Sequence, residues 1–177
     1  MELAVTITNQ EFSDAASFEK QVRTAFDFLE SDSGMAFAGA KELCGDPRDS
    51  GVVARYKSEG IKIDIGWNKT DLSLMVLIHL NRESLPRRAR HVYLESFVEY
   101  LTGGAETAIV PQVYYGMSDE SLLNLMRRRK ELFASNEFSQ LLTLLSSKLH
   151  KHIEGIRNAS DDVVGGYHQW MEAMGGR

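Results

Sequence analysis

Between residues 52 and 80 the chain alternates. Ile61, Ile63, Ile65 and Trp67 face one way, against Lys62, Asp64, Gly66 and Asn68, and a period of two predicts a strand with one buried face. The following segment, "DLSLMVLIHL", keeps Leu72, Leu74, Val76, Ile78 and Leu80 in phase and adds Met75 and Leu77 on its other face. That is more apolar surface than a one-sided sheet requires. Met75 and Leu77 are therefore expected to be covered by a helix or a second subunit. Upstream, "MAFAGAKEL" and "GVVARYKS" read as two further extended segments. The connections "CGDPRDSG", "SEG" and "NKTD" carry the Gly, Pro, Asn and Asp of tight turns, and connections this short favour an antiparallel meander.

On either side the period changes to that of a helix. From about Asp14 to Ser31, Phe18, Val22, Ala25 and Leu29 form one stripe, with Ser13 or Ser17 available as N-cap and Gly34 suited to the residue past the C-terminus. Residues 1–10 read as an edge strand or a loose arm. A second helical stretch is predicted from Pro86 to Gly103-Gly104, with Ala89, Val92, Phe97, Tyr100 and Leu101 on its apolar side. "AIVPQVYYG" reads as a short strand or a packed loop. Ser118 caps a helix to about Phe133 and Ser135 caps another, in which Phe138, Leu142, Leu145, Leu149, Ile153 and Ile156 recur at helical spacing. "IRNASDDVVGG" then breaks the pattern before a short terminal helix, "YHQWMEAM". The fold class predicted is α+β: a four-stranded antiparallel sheet flanked by an N-terminal helix and several C-terminal helices. It forms a single domain over residues 1–177, with a helical C-terminal part over 118–177.

Charge adds a direction to this picture. The net charge is −5, and all of it lies in residues 1–34. Glu2, Glu11, Asp14, Glu19, Asp27, Glu30 and Asp32 stand there against Lys20 and Arg23, while the remainder of the chain balances. Such a face either solvates a surface helix or docks a basic partner. The apolar fraction of 43% is ordinary for a globular chain. The longest apolar stretch, Leu74 to Ile78, is too short to cross a bilayer. No signal peptide is visible, and a lone cysteine, Cys44, has no disulfide partner. The expected location is cytoplasmic, with no membrane partner.

Candidate chemistry is sparse. The five histidines include no HExxH spacing, Cys44 has no CxxC partner, and "TGGAET" and "VVGGYH" match neither a P-loop nor a dinucleotide fingerprint. No catalytic residue, cofactor or metal site is expected. Two basic clusters, Arg87 to Arg90 and Arg127 to Lys130, raise nucleic-acid binding. Four consecutive helical residues, however, wrap most of the way around the axis. The second cluster also lies near a helix C-terminus, where cations are favoured. Nucleic acid is not the expected partner.

One resemblance extends beyond composition. The order helix, antiparallel strands, helices, opened by Phe26-Asp27-Phe28-Leu29 and then Gly34-Met35, resembles small cytosolic bacterial immunity proteins of toxin–immunity systems, including those of contact-dependent growth inhibition. The resemblance covers about the first 80 residues. It implies a non-catalytic protein that binds one cognate toxin and blocks it. A toxin acting on nucleic acid would carry a basic groove, for which Asp27, Glu30 and Asp32, off the apolar stripe, are the expected partner-binding residues. Two other classes stay open. One is an acidic secretion-type chaperone, which would be a homodimer, and the other is an enzyme without a recognisable motif.

Overall fold

The structure, a computed structural model, describes residues 15–43, 51–114 and 116–175. The expected arm at 1–10, the Ser13 cap and Cys44 lie outside these residues. Among them the strands run β1 (Ala36–Leu43), β2 (Gly51–Ser58), β3 (Ile61–Asn68), β4 (Ser73–Leu80) and β5 (His91–Tyr93), side by side in chain order. Every neighbouring pair is antiparallel. The helices are α1 (Ala15–Ala25), α2 (Phe28–Ser31), α3 (Leu94–Leu101), α4 (Asp119–Ser135), α5 (Phe138–Arg157) and α6 (Asp161–Gly175). The chain is α+β as predicted, with five strands rather than four.

Register follows the alternation. Tyr56, Ile63, Ile78 and Val92 make one cross-strand row, Ala54, Ile65 and Val76 the next, and Val52, Trp67 and Leu74 a third. All ten are buried, and each large aliphatic among them contributes about 1.5–3 kcal/mol by leaving water. Phe18 and Val22 of α1, Phe97 of α3, Leu142 and Leu149 of α5, and Tyr167 of α6 join the same cluster. One face of the sheet is thereby sealed. On the other face Met75 and Leu77 are only half-buried and stand outside that core. The cover expected for them is not provided by any described helix, since the helices that reach the sheet bury their apolar stripes on the opposite side.

Three boundaries differ from expectation for physical reasons. Pro86 opens a single 3-10 turn, Arg87–Ala89, not a long helix. Val92 then pairs with Ile78 as β5 before α3 begins, so a β-branched residue read onto a helix belongs to the sheet edge. Ser135 ends α4, and α5 is capped by Glu137 and Gln140 in a reciprocal capping box. The glycine pair at 165–166 lies inside α6 instead of before it, and a Cβ on Gly166 would collide with the Tyr100 hydroxyl. The expected caps at Ser118 and at Gly103-Gly104 are present: the Ser118 Oγ accepts from the Ser121 N–H, and the Gly104 N–H donates to Glu99 O at 2.8 Å.

Buried polar groups tie the helices down. Glu95 of α3 is 2% exposed; its carboxylate accepts the N–H groups of Ile109 and Val110 and meets the Lys148 ammonium of α5 at 3.3 Å. Lys148 also donates to Thr107 O at 2.8 Å. The stretch "AIVPQVYYG" is therefore a packed loop, held by a carboxylate that completes its orphan backbone donors. Burial pushes the Glu95 carboxyl up, against the pull of the two N–H groups and Lys148. Arg129 of α4, 3% exposed, donates to Pro111 O and Asp71 O. Arg82 donates to Arg157 O and Ala159 O past the end of α5, where a cation completes the last carbonyls.

On the open sheet face Arg55 grips Asp64 through two hydrogen bonds of 2.7 and 2.9 Å, and His79 reaches the same carboxylate at 3.2 Å. Burial disfavours ionised Asp64. The hydrogen bonds from Arg55 and His79, with Lys62 nearby, outweigh it and hold the carboxyl well below its usual range.

Two outcomes follow. Glu95→Ala strands Lys148 and two backbone donors in the interior and should cost about 3–5 kcal/mol in urea denaturation; a loss below about 1 kcal/mol would show that the loop is held otherwise. Because the folded-state pKa of Asp64 is depressed, its contribution is complete above about pH 5, starts to decline as pH falls through the unfolded value near ~3.9, and is lost as pH falls on through the lower folded-state value. Asp64→Asn should flatten the loss of stability across that window relative to wild type, and an unchanged slope would contradict the assignment.

Candidate functional site

The acidic stretch Asp27 to Asp32 folds into a corner because its apolar residues cannot share one helix face. In a continuous helix Phe26 and Phe28 would project about 200° apart. The chain instead breaks at Phe26-Asp27, and Phe26, Phe28 and Leu29 all turn inward, at 0%, 5% and 0% exposure. The helix expected to run unbroken from 14 to 31 is thus two helices, α1 and α2. The break frees the Ala25 carbonyl, which accepts a hydrogen bond from the Ser146 hydroxyl of α5. Gly34 at φ 62° closes the corner, with the Met35 N–H donating to Leu29 O at 2.8 Å.

All three expected partner-binding residues are exposed on this corner, but they are not equivalent. Glu30 is held by the Arg23 guanidinium, whose Nη2 lies 3.1 Å from Oε2 and whose Cζ sits 4.9 Å from the centre of the Phe37 ring on β1. Asp32 accepts from the Ser31 hydroxyl at 2.7 Å and lies 3.8 Å from the His150 Nε2 of α5. Glu30 is therefore drawn toward β1 and Asp32 toward α5. Asp27 has no side-chain partner among the described residues. These contacts are solvent-exposed and worth about 0–1 kcal/mol each, so a competing cation can replace Arg23 or His150 at little cost.

The corner is firm beneath this loosely held surface. His150 stacks on Phe28 at 4.4 Å, and Phe37 meets Tyr56 edge-on at 5.1 Å. Tyr56 is fully buried, and among the described residues its hydroxyl finds no hydrogen-bond partner. Burial, reinforced by the charge of Glu30, pushes that phenol well above its usual range. Beside the corner, Ala16, Glu19, Lys20, Arg23 and Thr24 line a shallow surface depression of about 510 Å³ along α1.

Sequence reasoning placed the carboxylates and missed Arg23, Phe37 and His150. Arg23 and Glu30, seven residues apart, would stand about 10 Å apart along an unbroken helix; the break between α1 and α2 brings them together, so their spacing gives no signal. His150 carries none, because its place beside Asp32 depends on how α5 crosses the corner. The two basic clusters do not form one patch. Arg129 is buried as a structural donor while Arg127, Arg128 and Lys130 are exposed, and Arg90 fastens its own loop through Leu85 O and Glu83 O. Among the described residues no cluster of His, Cys, Asp or Glu could hold a metal ion, and no helix is long and apolar enough to cross a membrane.

Set beside known proteins, the chain matches no family model, no curated protein and no solved structure.

Proposed function

We propose that this chain is a non-catalytic binding protein that neutralises a cognate bacterial toxin by direct contact, as cytosolic immunity proteins do. The observation that carries the reading is the corner at Asp27, Glu30 and Asp32: exposed carboxylates on a backbone fixed by three buried apolar side chains. A rigid anionic surface loses little entropy on docking. Its charge speeds encounter with a cationic groove, and any pair that becomes desolvated slows release. The partner in this reading is a toxin whose basic substrate groove the corner occupies, and both proteins meet in the cytosol.

The test first isolates the toxin by pull-down from the native cytosol with the full chain, followed by mass spectrometry. The toxin's affinity is then measured for wild type and for the triple variant Asp27→Lys, Glu30→Lys, Asp32→Lys at two salt concentrations, with folding checked by circular dichroism. The triple variant should bind at least about tenfold more weakly, ~1.4 kcal/mol. The difference should shrink at high salt, where the Debye length falls toward about 3 Å. A folded triple variant that binds as tightly as wild type at both concentrations would remove this corner from the interface.

A further inference from the structure

The sheet face left open by the helices has a charge opposite to that of the whole molecule. Register assigns to it Lys41 of β1, Arg55 and Lys57 of β2, and Lys62 and Asp64 of β3. Four cations against one carboxylate give +3, on a chain whose net charge is −5. The single carboxylate is already engaged internally by Arg55 and His79. Lys41 and Lys57 are exposed, and the Arg55 and Lys62 side chains are each 36% exposed.

Along the same face Met75 and Leu77 form a half-buried apolar strip beside the buried Val53, and the Met75 side chain leans over Gly66. Lys57, Lys62, His79 and His91 complete a row across four strands, the two imidazoles 6.5 Å apart. Burial, with His168 and His79 nearby, favours the neutral form of His91, so this ring offers a face rather than a charge.

We propose that this open sheet face binds single-stranded nucleic acid, with Lys41, Lys57 and Lys62 on phosphates and the strip with His79 and His91 beneath the bases. Two such faces would bring like charges together, which disfavours a second copy of the chain here. Apolar side chains and half-exposed rings on β4 and β5, beside cations on β1 to β3, suit stacked bases, which have faces to cover and a charged backbone along one edge. The two arginine runs in the sequence pointed away from nucleic acid. The cations here are spaced singly over three strands, so no run in the sequence announces them. This surface is separate from the acidic corner and does not depend on the toxin-binding reading.

The experiment is fluorescence anisotropy with a 5′-labelled 12-nucleotide RNA of mixed sequence, and its DNA counterpart, titrated with the full chain. Binding should weaken with salt at a slope of about −2 to −3 in log–log form, about −0.7 for each phosphate neutralised. Lys41→Glu/Lys57→Glu, at two exposed lysines outside the Asp64 cluster, should lose at least tenfold in affinity while keeping the wild-type melting temperature, and Lys41→Glu alone should lose less. Asp27→Lys/Glu30→Lys/Asp32→Lys should retain binding at this separate face. No binding at low salt, or equal binding by the folded double variant, would overturn the proposal. Equal competition by polyglutamate of the same charge would also overturn it, by assigning the face to an acidic protein.

Discussion

The row Tyr56, Ile63, Ile78 and Val92 sets the direction of the whole molecule. Side chains alternate along a strand, so a slip of one residue in any of these pairings would turn an entire apolar set toward water. With the register held, one face is sealed by the described helices and the other is left uncovered by them. α1, α3, α5 and α6 all deliver their apolar stripes to the sealed side. The central strand β3 shows the division most sharply: Ile61, Ile63, Ile65 and Trp67 enter the core, while Lys62 and Asp64 belong to the far side.

That division also explains how the polar groups are used. On the sealed side several polar side chains serve as fasteners at the helix ends and under the loop, each with more than one partner. Glu95 with Lys148, Arg129 with two carbonyls, and Arg82 past the end of α5 are the main cases. At the surface the polar groups are held loosely. The Arg23–Glu30 pair and the Asp32–His150 approach are open to solvent, which makes them exchangeable for a partner's charges. Firm apolar anchoring below and weak ionic contacts above are what a docking corner needs. On the open sheet face, by contrast, the one carboxylate is tied up by Arg55, Lys62 and His79, and Lys41 and Lys57 are left outward.

Much of this was legible where local pattern and tertiary environment agree. The strands over 51–80 were visible because one of their faces is apolar at a strict period of two, and α5 because its buried side recurs at helical spacing. β5 was not visible. Three residues carry no period, and His91-Val92-Tyr93 pairs only because β4 offers an edge. The break between α1 and α2 was missed because Phe26 and Phe28 each fit a helix locally; only their common burial separates them. For the same reason the exposure of Asp27, Glu30 and Asp32 could be read, whereas their neighbours on β1 and α5 could not. Met75 and Leu77 were expected to lie under a helix or a second subunit; no described helix covers them, and the sequence does not say which elements cross which face.

The account rests on the two faces of the sheet being unlike in solution. Methionine oxidation reads this directly, since thioether reactivity follows exposure. Met75 lies half-buried on the open face, whereas Met35 and Met171 are 3% and 1% exposed in the core. Brief treatment of the native protein with dilute peroxide, followed by peptide mass spectrometry, should oxidise Met75 well ahead of Met35 and Met171. Protection of Met75 equal to that of the two core methionines would mean that the second face is also sealed and would contradict the account.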